Sequence, residues 1–150
     1  MHVATAMTRE VVTVLPELPL ETCWAIMKQR RIRHLPVVSP QHRLLGMLSD
    51  RDVLLRSALD GDVVLPASVR AEDAMTAVPV TFRSSTSVAE VASIMIERKI
   101  DALPVVDASG HMTGLVTSTD LLSLLTEAEH ARHELPFTFR VISLSSAQAA

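Results

Sequence analysis

"RIRHLPVV" occupies residues 31–38 and "KIDALPVV" residues 99–106. Both close on Leu-Pro-Val-Val, and Pro36 and Pro104 stand 68 positions apart (104 − 36). Sliding the chain by that offset extends the match well beyond the two stretches. "AMT" at 6–8 returns at 74–76, Val12-Thr13 as Val80-Thr81, and Ile26-Met27 as Ile94-Met95. Arg30 returns as Arg98, Gly46 as Gly114, Asp52 as Asp120 and Leu54 as Leu122. No gap is needed between residues 6–57 and 74–125. Shared composition does not produce so long an ungapped match. A duplicated unit does, and its period decides the fold before any local reading.

Each copy reads as β-α-β-β-α, an α/β (α+β) pattern. A short β segment comes first, "VVTV" at 11–14 and "VPVTF" at 78–82. A helix follows, with apolar positions Leu20, Cys23, Trp24 and Met27 in one copy and Val88, Val91, Ala92 and Met95 in the other. Both sets recur at i, i+3, i+4, i+7, one face of an α-helix. Pro19 and Glu21 mark the first helix start, and Ser87 with Glu90 reads as a capping box at the second. "LPVV" is then a strand whose proline, having no N–H, is expected at the strand start or on a sheet edge. Turns at "SPQHR" (39–43) and "DASGH" (107–111) lead to second strands, "LLGMLS" (44–49) and "MTGLVT" (112–117), and last helices begin near Asp50 and Ser118. Residues 1–60 therefore form one repeat and 74–127 the other. Residues 61–73 join them as a loop with a short helix before Met75, and 128–150 are an extension. In it "FTFRV" (137–141) alternates like a strand, and the end is expected to be disordered.

Composition narrows the function. Hydrophobic residues make up 48% of 150 but aromatics only 3%, so the core is aliphatic. The net charge of −3 lacks the basic excess of a nucleic-acid binder, and nucleic acid is not an expected partner. Cys23 is the one cysteine, which excludes an internal disulfide and any cysteine-based zinc cluster. Its place on the apolar helix face makes it buried and inert. No apolar run reaches the roughly 18 residues of a membrane span, and "MHVATAMTREVV" lacks signal-peptide blocks. The expectation is a soluble, cytoplasmic, stand-alone protein.

The polar residues that could carry chemistry follow the second strand of each copy: Ser49-Asp50-Arg51-Asp52 and Thr117-Ser118-Thr119-Asp120. A strand end running into a helix offers backbone N–H groups and a positive dipole end to an anion. A hydroxyl there can bind phosphate, and an Asp can accept a cis-diol such as ribose. The same residues also cap a helix, whatever binds nearby, and the two roles are compatible. His130 and His133 lie three apart, but with no third ligand evident a solvated helix face is the reading.

The joint pattern resembles a tandem pair of cystathionine-β-synthase (CBS) domains, a Bateman module. It is carried by "AMT…VVTV", "MKQRRIRHLPVV" and "LLGMLSDRDVL" in copy one. In copy two it is carried by "AMTAVPVTF", "MIERKIDALPVV" and "MTGLVTSTDLL", and the likeness covers roughly residues 3–127. The resemblance implies two repeats packed around a pseudo-twofold axis, with clefts that bind AMP, ADP, ATP or S-adenosylmethionine. By position, one cleft would use Ser49, Arg51 and Asp52, and the other Thr117, Thr119 and Asp120. Thr8, Val12, Thr13, Ile32, Arg33, His34 and Pro36 match the remaining positions of copy one, and Thr76, Val80, Thr81, Ile100, Asp101, Ala102 and Pro104 those of copy two. No prosthetic group is implied, though Mg²⁺ would accompany ATP. The family's habit of pairing through helices implies a homodimer, and a stand-alone module implies a protein partner that the sequence does not name.

Arg33, His34 and Arg51 stand where copy two has Asp101, Ala102 and Thr119. Phosphate calls for cationic or N–H donors, so copy one is expected to dominate phosphate binding. The alternative for "KQRRIRH" (28–34) is a solvated basic helix end favoured by the dipole. Function is thus expected to be ligand sensing. An interaction module with empty clefts is the alternative. An enzyme is disfavoured, because no nucleophile elbow, P-loop or metal cluster appears and the duplicated Asp52 and Asp120 suit two binding sites better than one catalytic pair.

Overall fold

The computed structural model describes residues 1–60 and 62–130. After a 3₁₀ turn at Val3–Thr5 come helix α1 (Leu20–Arg30), strands β1 (His34–Val38) and β2 (Leu44–Ser49), and helix α2 (Asp50–Leu55). The joining stretch holds a small hairpin, β3 (Ala58–Asp60) with β4 (Asp62–Val64), then helix α3 (Ala71–Ala74) and strand β5 (Thr76–Ala77). The second copy follows as α4 (Val88–Arg98), β6 (Ala102–Val106), β7 (Met112–Thr117) and α5 (Ser118–His130). The content is α+β. The short helix stands before Met75 as expected, whereas the β3–β4 hairpin replaces expected loop: its aspartates read as turn residues and hid the apolar pairs flanking them. The "FTFRV" strand and the C-terminal tail lie outside the described residues.

The two hairpins repeat one another down to their irregularities. His34 faces Ser49 and Ala102 faces Thr117, with a bulge at Val37/Val38 and at Val105/Val106. In the first turn, Ser39 Oγ accepts the N–H groups of Gln41 and Arg43, both at 3.3 Å. In the second, Asp107 Oδ1 accepts those of Ser109 (2.8 Å) and His111 (3.0 Å). Helices α1 and α4 both stop on a left-handed residue, Arg31 and Lys99, each with φ 54°. That turn sends the chain back along the helix it has just left. Ser87 Oγ accepts the Glu90 N–H at 3.1 Å, which is the Ser87 half of the expected capping box.

The first strands of the repeats are reduced to single bridges, Val14 to Val37 and Phe82 to Val105, both parallel. Val14 donates to Pro36 O (3.0 Å) and accepts from Val38 N–H (2.9 Å); Phe82 does the same with Pro104 (3.1 Å) and Val106 (2.9 Å). Continuing that register, the next donor would be the nitrogen of Pro36 or Pro104, which carries no hydrogen. Each proline lies third in its strand, not at the strand start; its strand is an edge strand of its sheet, as expected, and the missing N–H ends the parallel ladder.

Among the described residues two compact units result, one spanning Val12–Pro79 and the other joining Met1–Val11 to residues 80–130. They do not coincide with the sequence repeats. The first "AMT" leaves its own repeat: Thr8 pairs with Leu115 through bonds of 2.8 and 2.9 Å. The second does the reverse, Thr76 pairing with Met47 and Ala77 with Gly46. Gly46 and Gly114 are the residues crossed. A Cβ on Gly46 would lie 2.9 Å from Thr76 O, and one on Gly114 2.9 Å from Thr8 O and 2.7 Å from Met7 Sδ. The chain can cross so closely only over a residue with no side chain.

Each unit has its own aliphatic core. In the Val12–Pro79 unit Leu20, Cys23, Met27, Leu35, Val37 and Leu48 are buried. In the other, Val3 and Met7 join Val91, Met95, Leu103, Val105 and Val116 in one cluster. Each such Leu, Val or Met side chain contributes about 1.5–3 kcal/mol relative to an exposed one. Trp24, expected in the core, is half-buried instead, with the Lys28 ammonium 5.7 Å from its ring centroid. An indole on the flank of a helix face reaches past the core edge, and the lysine covers what is left.

Candidate functional site

In each unit the second strand ends in a hydroxyl residue that caps the next helix. Ser49 Oγ and the Ser49 N–H both lie 2.7 Å from Asp52 Oδ2, and the Asp52 N–H reaches Ser49 Oγ at 3.2 Å. The second copy repeats this with Thr117 and Asp120 at 2.8, 2.7 and 3.2 Å. Capping of this kind stabilises by about 0.5–2 kcal/mol. A carboxylate only accepts, so the hydroxyl proton is committed to Oδ2. That leaves the hydroxyl no proton for a phosphate oxygen. Oδ1 of Asp52 and of Asp120 accepts no bond among the described residues, and its lone pairs can take hydroxyl donors.

The backbone donors are also spoken for. The N–H groups of Asp50, Arg51 and Asp52 go to Arg33 O (2.9 Å), Asp50 Oδ1 (2.9 Å) and Ser49 Oγ (3.2 Å). The expected free N–H groups are therefore missing at α2, where short polar side chains satisfy the helix start from within. At α5, Ser118 N–H goes to Asp101 O (2.9 Å) and Asp120 N–H to Thr117 Oγ1 (3.2 Å). Thr119 N–H has no partner among the described residues.

The stretch before "LP" lies directly beside this strand end. The Arg33 carbonyl holds Asp50, and the next residue, His34, faces Ser49 across the hairpin. Asp101 and Ala102 occupy the same places beside Ser118 and Thr117. Ile32 and Ile100 close their helices onto Met27 O and Met95 O, each at 3.0 Å, and are half-buried. Arg33, Arg51, Asp101 and Thr119 are exposed, His34 is half-buried and Ala102 buried. Val12, Thr13, Val80 and Thr81 come just before the single bridges, where the prolines have ended the ladder.

The units regroup the candidates. With Ser49, Arg51 and Asp52 stand Val12, Thr13, Ile32, Arg33, His34 and Pro36, joined by Thr76 of the second copy. With Thr117, Thr119 and Asp120 stand Val80, Thr81, Ile100, Asp101, Ala102 and Pro104, joined by Thr8 of the first. Position-matching placed Thr8 in copy one and Thr76 in copy two, and each lies in the compact unit built mainly from the other copy. Gly46 and Gly114, which permit this exchange, were missed as site-forming residues, although their recurrence at the repeat offset was the signal.

The CBS domain matches this chain twice, over residues 3–58 and 71–127. The chain belongs to the CBS-domain family.

Relatives of this CBS pair differ widely in length. It is 34% identical over 119 residues to inosine-5'-monophosphate dehydrogenase of Thermoplasma acidophilum, covering 79% of this chain but 22% of that protein. The pair thus spans under a quarter of the length of the first curated relatives it matches. It is also 34% identical over 116 residues to the CBS domain-containing protein YhcV of Bacillus subtilis, covering 77% of this chain and 79% of YhcV. Among solved structures, CBSX2 in complex with AMP superposes with a TM-score of 0.77 at 26% identity, covering 85% of this chain and 98% of CBSX2.

Elsewhere in the CBS pair, burial pushes the Cys23 thiol up to about 12, outweighing the opposing effect of a backbone hydrogen bond. That suits a packing residue, not a nucleophile. Among the described residues no three His, Cys, Asp or Glu side chains gather as metal ligands. No described helix is long and apolar enough to cross a membrane.

Proposed function

We propose that this CBS pair is a regulatory module that binds adenosine nucleotides (AMP, ADP, ATP or S-adenosylmethionine) and responds by changing its conformation or association. One observation carries the reading. Both strand ends keep a carboxylate oriented by two hydrogen bonds to its Oδ2 while its Oδ1 stays available for a ribose diol. The AMP held by CBSX2 supports the same ligand class. Mg²⁺ would enter with ATP, and no prosthetic group is involved. No catalytic step belongs to this reading, and the dehydrogenase activity of the longer relatives is not carried over.

Exposed apolar residues on the helices favour association as the output. Leu55 is 76%, Ile96 79%, Leu122 62% and Leu125 64% exposed. A homodimer through these helices, or a protein partner in the cytoplasm, would cover them. The same residues favour the second reading, an interaction module that binds no ligand.

Thermal unfolding with AMP, ADP, ATP with Mg²⁺ and S-adenosylmethionine separates the two. A ligand at a hundred times its Kd stabilises the folded state by about 2.7 kcal/mol, or roughly 5–11 °C for a chain of this size. No shift with any of them at millimolar concentration overturns nucleotide sensing in favour of the interaction module. Steady release of ADP or AMP from ATP overturns the binding-only role.

A further inference from the structure

Resting on the association half of the reading above and narrowing it, we infer that two copies of this chain pair through the outer surface of α4 and α5, like unit against like, in a weak twofold dimer. The two helices lie against each other. From Ser118 to Thr126 the exposed residues of α5 are Thr119, Leu122, Ser123, Leu125 and Thr126, none of them charged. On α4, Ala89 and Ser93 are exposed within about 60° of Ile96, taking about 100° per residue. Glu90, Glu97 and Arg98 stand about 100° or more away from it. The solvent face of a helix ordinarily carries charge. This surface instead presents three large apolar side chains, Ile96, Leu122 and Leu125.

The hydroxyls of this surface are already suited to a dry contact. Ser93 Oγ donates to Ala89 O (2.9 Å), Ser123 Oγ to Thr119 O (3.0 Å) and Thr126 Oγ1 to Ser123 O (2.8 Å). Each proton stays within its own helix. Covering these residues therefore strands no hydroxyl donor, and the usual penalty for burying one is avoided.

The charge pattern selects the occupant. A twofold contact sets a patch against its own copy, so a face carrying like charges repels itself. At the 68-residue offset Ile96 corresponds to Lys28, Thr119 to Arg51 and Leu125 to Ser57. The exposed charges of α1 and α2 are Glu21, Lys28 and Arg51, with Arg56 at the C-cap. Pairing that face with itself gathers cations, and pairing it head to tail buries Lys28 and Arg51 against Ile96, Leu122 and Leu125. Only α4–α5 against α4–α5 buries apolar side chains without a cation among them, which leaves Leu55 outside the contact. Helices of 11 and 13 residues run about 16 and 20 Å and together span roughly 20 Å, a contact of order 350 Å² per copy. That is about half a standard interface, so the dimer is expected to dissociate in the micromolar range, where a bound ligand can shift it.

Sedimentation velocity of the full chain from about 1 to 200 μM tests this. The mass is expected to rise from 16.3 kDa towards twice that value. Leu122→Glu and Leu122→Lys are each expected to weaken the dimer at least about tenfold. Mixed in equal amounts they are expected to pair again, because a twofold contact brings the glutamate of one copy to the lysine of the other. Leu54→Glu, the same change at the matching position of α2, is expected to leave the dimer intact. All three substitutions fall on exposed side chains, and far-UV circular dichroism confirms that each variant is folded. A monomer at every concentration overturns the inference. So does a dimer indifferent to Leu122→Glu, a mixture no more associated than its parts, or an equal loss with Leu54→Glu. Melting with AMP keeps this apart from nucleotide sensing. A monomer that AMP stabilises overturns the interface alone, and a dimer that no nucleotide stabilises overturns sensing alone.

Discussion

Gly46 lies where local preference and tertiary packing predict opposite signs. Replacing a strand glycine by alanine restricts the unfolded chain and on that ground stabilises by about 0.4–1 kcal/mol. The exchanged segment reverses this. The added Cβ would meet the Met75 side chain and lie 2.9 Å from Thr76 O. The methionine can swing away, but Thr76 pairs with Met47 in the sheet and its carbonyl can withdraw only by breaking that strand. Overpacking of this kind costs about 1–3 kcal/mol. The larger effect wins, and Gly46→Ala is expected to destabilise by about 1 kcal/mol net, a fall of roughly 2–4 °C in Tm. Urea unfolding followed by Trp24 fluorescence reads this directly, because the lone tryptophan lies in the same unit. In a cycle with Met75→Ala the glycine change should cost less, though not nothing, since the carbonyl remains. Gly114→Ala should behave likewise against Met7 and Thr8. A neutral or stabilised Gly46→Ala would refute the crossing of the second "AMT" over β2.

Two further outcomes follow from the titratable groups. Asp107 is held below its usual value of 3.8, chiefly by the His111 N–H and further by the Ser109 N–H and the His111 ring. A depressed carboxyl stabilises the fold above its unfolded value and loses that contribution as pH falls through the folded one. Asp107→Ser, which copies the turn at Ser39, should therefore keep the hairpin but lower Tm less at pH 2.5 than at pH 7. An equal loss at both pH values counts against the assignment. Cys23, buried and pushed up to about 12, should resist alkylation by iodoacetamide at pH 8 in the folded protein and react at once in denaturant. Rapid native labelling would contradict its burial.

Most of the local architecture was legible because it is written at short range. The i, i+3, i+4, i+7 pattern placed α1 and α4, the alternation of "LPVV", turn and "LLGMLS" gave a hairpin, and Ser49 and Thr117 announced their caps three residues ahead. Trp24 was misplaced because periodicity assigns a face but not how far a large ring projects beyond the core. The free donors expected at α2 were not found, because whether Arg33 O and Asp50 Oδ1 take those N–H groups depends on how the hairpin meets the helix.

The sequence by itself determined the duplication, the α+β content, the repeated hairpins and the two Ser/Thr-x-x-Asp caps, since each depends on residues a few positions apart or on the 68-residue offset. Only the tertiary structure decided which unit each "AMT" joins. Both copies offer the segment a glycine at the same place in the second strand, Gly46 and Gly114, and nothing local distinguishes docking on its own repeat from docking on the other. The chain's path makes that choice, sending Thr8 to Leu115 and Thr76 to Met47. Through it each compact unit acquires a threonine from the other copy.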